Sequence, residues 1–362
     1  MAQGLIPATI LTGFLGSGKT TLLKRLLSEA HGQKIAVIEN EFGEENIDND
    51  ILVADTSEQI IQMSNGCVCC TIREDLRTTL SDLADKRRKG ELQFDRVVIE
   101  TTGLADPGPV AQTFFMDDEI AEGYLLDSIL TLVDAKHGHH QLDTRQEARR
   151  QVGFADRIFM SKTDLVTVDE ADDLAHRIKH MNPRAPQQRV HFGDVPLDQV
   201  LDLKGFNLNA KLEIDPDFLE PDDHAHHGHG HRHGHGHGHE HSHDHCDHDH
   251  ADGQCHHPHH HAHDDDVKSL VFRADRPFNP AKLEDFLGSI VQVYGPKLLR
   301  YKGVLHLKGT DRKVIFQGVH QLMGSDLGPK WATGEHKTSK MVFIGIDLPR
   351  DILIQGLEGC LA

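Results

Sequence analysis

Long hydrophobic runs are missing from this sequence. No stretch approaches the roughly 18–20 apolar residues of a membrane span, so none is expected. Positive charge is also short. Lys and Arg number 38 against 57 Asp and Glu, for a net charge of -19. Nucleic acid and anionic membrane surfaces are thereby excluded as partners, because phosphate backbones demand clustered basic residues. The N-terminal MAQGLIPATILTG lacks a basic n-region, and Pro7 and Thr9 break its apolar stretch, so no signal peptide is expected. A cytoplasmic chain is the expectation, with its six cysteines reduced and available as ligands.

Histidine is what the sequence has in excess. Twenty of its thirty His fall between Pro221 and Asp266, in a tract running HAHHGHGHRHGHGHGHEHSHDHCDHDH and beyond. So few aliphatic residues cannot offset an ordering cost of roughly 1–2 kcal/mol per residue, so a linker is expected there. Before it, apolar runs (ATILTG, KIAVIEN, EQIIQMS, DRVVIET, SILTLVD, RIFMSK, QQRVHF) alternate with helical patterns such as TTLLKRLLSEA and VDEADDLAHRIKHM. This rhythm predicts a doubly wound, mostly parallel α/β domain over residues 1–209. The linker covers 210–266, and a small α+β domain covers 267–362. In that last unit KSLVFRA, LLRYKGVLHLKG, KVIFQGVHQ and KMVFIGI read as strands, with helices AKLEDFLGSIVQVYG and RDILIQGLEG on one sheet face.

The stretch GFLGSGKT fits G-x-x-x-x-G-K-[ST] between a strand and a helix, as a phosphate-binding loop must. Gly13, Gly16, Ser17, Gly18, Lys19, Thr20 and Thr21 are the expected phosphate-binding residues. Backbone N–H groups and a helix N-terminus would surround the phosphates, Lys19 would reach the outer ones, and Thr20 would ligate magnesium. In VVIETTG an apolar strand ends at Glu100, placed to orient magnesium or its waters, with Gly103 three positions on to approach the γ-phosphate. Lys19 and Glu100 are the expected catalytic pair. SKTD, Ser161 to Asp164, stands where an N-K-x-D guanine motif would. The Asp164 carboxylate accepts from guanine's ring N–H and amine together, which predicts GTP over ATP, and Lys162 would lay its stem over the base.

Three cysteines crowd into NGCVCC: Cys67, Cys69 and Cys70, on a turn before a helix. Thiolates at a helix N-terminus gain from its dipole, and three of them suit zinc, with copper(I) or cobalt as alternatives and a fourth position open. Buried structural cysteines and a redox pair are the competing readings. Glu39 or Glu44 of ENEFGE could complete the set, or that stretch could be an ordinary acidic loop. In the His tract, His229, His231, His233, His235, His237 and His239, among others, offer multivalent imidazole for zinc, nickel or cobalt. Isolated His176, His306 and His320 read as surface or packing residues.

In this order, GFLGSGKT, IENEFGE, NGCVCC, ETTGLADPGP and SKTD resemble the CobW-type metal-handling GTPases, most closely their YjiA-like branch. The second domain resembles that family's C-terminal domain. The resemblance implies magnesium-dependent GTP hydrolysis coupled to delivery of zinc, or cobalt, to a client metalloprotein. Glu100 would then serve the magnesium shell, Lys162 and Asp164 the base, and Cys67, Cys69 and Cys70 the transferred metal. Two rivals remain at this point: a passive zinc or nickel buffer built on the His tract, and a P-loop kinase for a small molecule.

Overall fold

The computed structural model describes residues 5–28, 32–39, 60–62, 71–203 and 266–362. The first part builds a seven-stranded sheet from β1 (Ile6–Gly13), β2 (Ile35–Glu39), β3 (Ile60–Gln62), β4 (Arg96–Glu100), β5 (Tyr124–Asp134), β6 (Arg157–Ser161) and β7 (Gln187–Arg189). Their order is β3-β2-β4-β1-β5-β6-β7, and every pair is parallel. Parallel strands covered on both faces must be apolar almost throughout, which is why IAVIE of β2 is buried along its length.

One face packs on α1 (Lys19–Ser28), whose Leu22, Leu23, Leu26 and Leu27 meet Leu11, Val37, Val98 and Leu132. The other face is covered by α2 (Thr71–Lys89), α3 (Pro107–Met116), α4 (Asp118–Gly123), α5 (Gly138–Thr144), α6 (Gln146–Phe154) and α7 (Val168–Met181). Local signals set several helix starts. Asp106 caps α3 with Pro107 at its first position, and Thr167 with Glu170 forms a capping box on α7. The doubly wound reading holds.

The second part is a five-stranded antiparallel sheet of β8 (Val267–Ala274), β9 (Leu298–Leu305), β10 (Arg312–Val319), β11 (Leu322–Lys330) and β12 (Ser339–Ile346), in the order β11-β10-β9-β12-β8. As expected, α8 (Pro280–Tyr294) and α9 (Arg350–Gly359) share one face, where Leu283, Leu287, Leu353 and Leu357 pack on Tyr301, Phe316 and Phe343. Sequence patterning missed β11. Its LMGSDLGPK is polar and carries Gly and Pro, which suits an edge strand and hides it from a search for apolar runs.

The opposite face of this sheet joins the nucleotide-binding unit. Val267, Leu299, Val319, Val342, Ile344 and Ile346 belong to the same buried cluster as Val152 and Phe154 of α6. Buried Arg300 pairs with Asp156, and Arg149 pairs with Asp266. His320, at the β10–β11 turn, packs edge-on against Phe154 at 5.2 Å, and His306 packs on Trp331, in keeping with their expected packing roles.

This junction should be acid-sensitive. Burial holds the His320 pKa below its ordinary value, against an opposing pull from the Asp106 carboxylate, while Arg150 adds to the lowering. A histidine depressed in the folded state binds its proton more readily when unfolded, so stability falls as pH drops below about 6.5. His306, lowered by burial and by Lys337, acts in the same direction. Denaturation midpoints are therefore expected to fall between pH 7.5 and pH 5.5, and His320→Gln should flatten that slope in part. A variant with the wild-type slope would remove His320 as a contributor.

Candidate functional site

The site gathers at the carboxyl ends of β1, β4, β5 and β6, the side where open parallel sheets bind ligands. The loop after β1 turns through Gly16 and Gly18, both at positive φ, and enters α1 at Lys19. The Lys19 ammonium is buried within the loop, donating to the Gly13 carbonyl at 2.9 Å and the Phe14 carbonyl at 3.4 Å. Ser17 is buried behind it, and Thr21 is exposed on the first turn of α1.

Thr20 and Glu100 are brought together. The Thr20 hydroxyl donates to Glu100 Oε1 at 3.1 Å, from strands and helix that converge at Leu11, the register partner of Glu100. A hydroxyl and a carboxylate side by side are an oxygen donor set of the hard kind that magnesium takes, and one or two such protein ligands suffice when phosphates complete the shell. Glu39 lies beside Glu100 in the β2–β4 register and is itself buried. Gln62 is the partner of Glu39 on its other side, so one row across three strands ends at this edge.

The loop after β4 is clamped. Thr101 donates to Thr12 at 2.8 Å, and Gln151 of α6 donates to the carbonyls of Gly103 (3.2 Å) and Ala105 (2.9 Å). Gly103 sits against the phosphate-binding loop. A Cβ there would stand 2.5 Å from Leu15 N, so only glycine allows this approach. Arg150, the neighbour of Gln151, pairs with the α3 cap Asp106 at 2.7 Å. Sequence reading did not single out Gln151, Arg150 or Asp106. A polar pair in the midst of a helical pattern gave no sign of which loop it would hold.

At the end of β6, Ser161 stands where an N-K-x-D motif would carry Asn. Its hydroxyl donates to the Ser17 carbonyl at 2.6 Å, tying β6 to the phosphate loop. Lys162 takes a left-handed backbone (φ 56°) and its ammonium meets Asp134 at 2.8 Å. Asp134 ends β5 and also accepts from His137 Nδ1 at 3.0 Å and from the Lys136 amide. Burial raises its pKa, yet the Lys162 and His137 hydrogen bonds outweigh this and hold the carboxyl below its usual range. Asp134 too was not singled out, although the strand SILTLVD ends in it at the same sheet edge as Glu100. Asp164 lies on the surface beyond Lys162, with His191 Nδ1 at 3.5 Å.

Among the described residues, no group of three or more His, Cys, Asp or Glu is placed to hold a metal ion, and no helix is long and apolar enough to cross a membrane. Cys67, Cys69, Cys70, Glu44 and the His tract, including His229 through His239, lie outside the described residues. The described residues that flank the three cysteines are Gln62, ending β3, and Thr71, opening α2.

Residues 7–189 match the family model "CobW/HypB/UreG, nucleotide-binding domain", and residues 267–361 match "Cobalamin synthesis protein cobW C-terminal domain". The chain is 40% identical over 355 residues to the "Zinc chaperone YjiA" of Escherichia coli, covering 98% of each. It is 30% identical to the "Zinc chaperone CobW" of Pseudomonas aeruginosa, covering 99% of this chain and 92% of that one. The solved structure of Zn(II)-bound YjiA GTPase from E. coli superposes with a TM-score of 0.74 at 35% identity, covering 99% of this chain and 100% of the other. With a phosphate loop, a Thr20–Glu100 pair and an SKTD strand end arranged on one sheet edge, the chain belongs to the CobW/HypB/UreG family of P-loop nucleotide-binding proteins.

Proposed function

We propose that this P-loop GTPase is a metallochaperone, which binds zinc at Cys67, Cys69 and Cys70 and releases it to a client metalloprotein under control of GTP hydrolysis. The observation that carries the reading is the row Gln62–Glu39–Glu100. The segment with the cysteines leaves the sheet from β3, two strands from the carboxylate that meets Thr20. The relatives named zinc chaperones, and the Dictyostelium and fission-yeast relatives named zinc-regulated GTPase metalloprotein activators, support zinc as cargo.

In this reading Thr20 and Glu100 would hold magnesium. When bound, it would neutralise charge developing on the phosphate oxygens. Lys19, already aimed along the loop carbonyls, binds the outer phosphates. Asp134 holds the Lys162 ammonium so that its stem covers the base, and Asp164 selects guanine. Gln151 sets the resting position of the Gly103 loop, and it is this loop and the Glu39 strand end that transmit nucleotide state to the cysteines. Metal must then favour one nucleotide state, and by linkage it shifts nucleotide affinity in return. The His tract gathers metal for the cysteines.

The test is GTP hydrolysis by chelator-stripped protein, with and without one equivalent of zinc, in wild type and in a variant with Cys67, Cys69 and Cys70 all changed to Ser. Zinc should alter the wild-type rate and leave the variant's untouched. Equal indifference in both would remove coupling through the chemical step. Deleting residues 224–263 tests the buffer alternative: a chaperone retains one tight cysteine site and its GTPase, while a buffer loses nearly all metal capacity.

A further inference from the structure

Just past β7, the chain makes a tight turn in which the Asp194 amide donates to the His191 carbonyl at 2.9 Å. Both central residues, Phe192 (φ 47°) and Gly193 (φ 72°), have positive φ, the pattern of a type I′ turn. Such turns ordinarily take Asn-Gly, since a bulky side chain is strained there. Here the first central position holds phenylalanine, which is 74% exposed, the most exposed of the large apolar residues described.

The turn is fixed in place. A Cβ on Gly193 would come within 3.0 Å of Leu22 Cα, so the backbone lies directly on the helix that follows the phosphate loop. Asp194 pairs with Arg25 of that same helix at 2.6 Å. His191 reaches Asp164 at 3.5 Å, and the His191 and Phe192 rings meet edge-on at 4.5 Å. An aromatic side chain is thus held in a strained conformation, open to solvent, one ring away from the carboxylate assigned to guanine. Strain kept at an exposed surface position points to a binding role.

We infer that Phe192 is a purine-stacking residue: its ring closes the face of the base opposite the Lys162 stem, while His191 positions the Asp164 carboxylate. This rests on the assignment of Asp164 to the base and adds the residue that holds the base by its π-face. Stacking on an aromatic ring is indifferent to hydrogen-bond pattern, so Phe192 contributes affinity, and Asp164 contributes selectivity.

Calorimetry on the full chain with Mg-GDP tests it. Phe192→Ala should bind GDP roughly five- to a hundred-fold more weakly, the range of base–aromatic stacking, with an unchanged unfolding midpoint. The preference for GDP over IDP, which reads the exocyclic amine at Asp164, should not move. Phe192→Trp should restore affinity and add a GDP-dependent quenching of emission beyond that of wild type, whose single Trp lies in the C-terminal sheet domain. GDP affinity within two-fold of wild type in Phe192→Ala, or no added quenching in Phe192→Trp, overturns the proposal. A wild type that binds GDP and IDP equally removes the role of Asp164 instead, and the same Phe192→Ala comparison made with IDP still decides the stacking.

Discussion

Replacing Glu100 with Gln is expected to lower magnesium-dependent GTP hydrolysis by about two to three orders of magnitude, the usual scale for losing one preorganised charge-stabilising group. Gln keeps the shape of Glu and can still accept the 3.1 Å hydrogen bond from Thr20. The substitution therefore removes charge while leaving the strand end and its Thr20 contact in place. Nucleotide binding without magnesium should be little changed, because Lys19 and the loop amides are expected to carry that binding. The decisive comparison is single-turnover hydrolysis alongside GDP affinity in chelator. A rate within three-fold of wild type would move the metal-orienting role to another carboxylate, with the neighbouring Glu39 first in line.

Asp156→Ala is expected to destabilise the protein by about 3–5 kcal/mol, as breaking a buried ion pair from one side does. Its carboxylate accepts from Arg300 through one oxygen and from the Ile129 amide, at 2.9 Å, through the other. Arg300 is 6% exposed, so its guanidinium would lose the Asp156 carboxylate while staying buried between the sheets. Burial already pulls its pKa down, with Asp156 as the opposing influence. Chemical denaturation measures the loss, and Asp156→Ala combined with Arg300→Met should recover part of it, since an apolar pair of similar size avoids the stranded charge. A loss no larger than that of a surface pair, under about 1 kcal/mol, would mean that Arg300 is satisfied by its other contacts.

Much of this fold was readable because parallel strands are long apolar runs and phosphate loops need glycine at fixed spacing. Lys19, Thr20, Glu100 and Lys162 could be named from local pattern alone, and each stands on the same sheet edge. Asp134 and Gln151 could not, because their roles depend on partners 28 and about 50 residues away that only the folded sheet brings close. The same limit hid β11, whose identity as a strand comes from its neighbour β10 and not from its own side chains. Phe192 was read only as the end of an apolar run, because nothing in QQRVHF reveals a left-handed backbone.

The two sheets meet through side chains that lie on either side of the His-rich stretch, and both edges of that stretch are pinned. The Leu203 amide donates to Asp127 at 3.3 Å, and Asp266 pairs with Arg149. Closing a longer or shorter loop between fixed points changes its entropy only slowly, by about 0.6 kcal/mol per doubling. In the proposed reading, the number of histidines between these two fixed points can therefore change at little cost to the junction, so the metal-gathering capacity proposed for them is adjustable while the nucleotide machinery stays as it is.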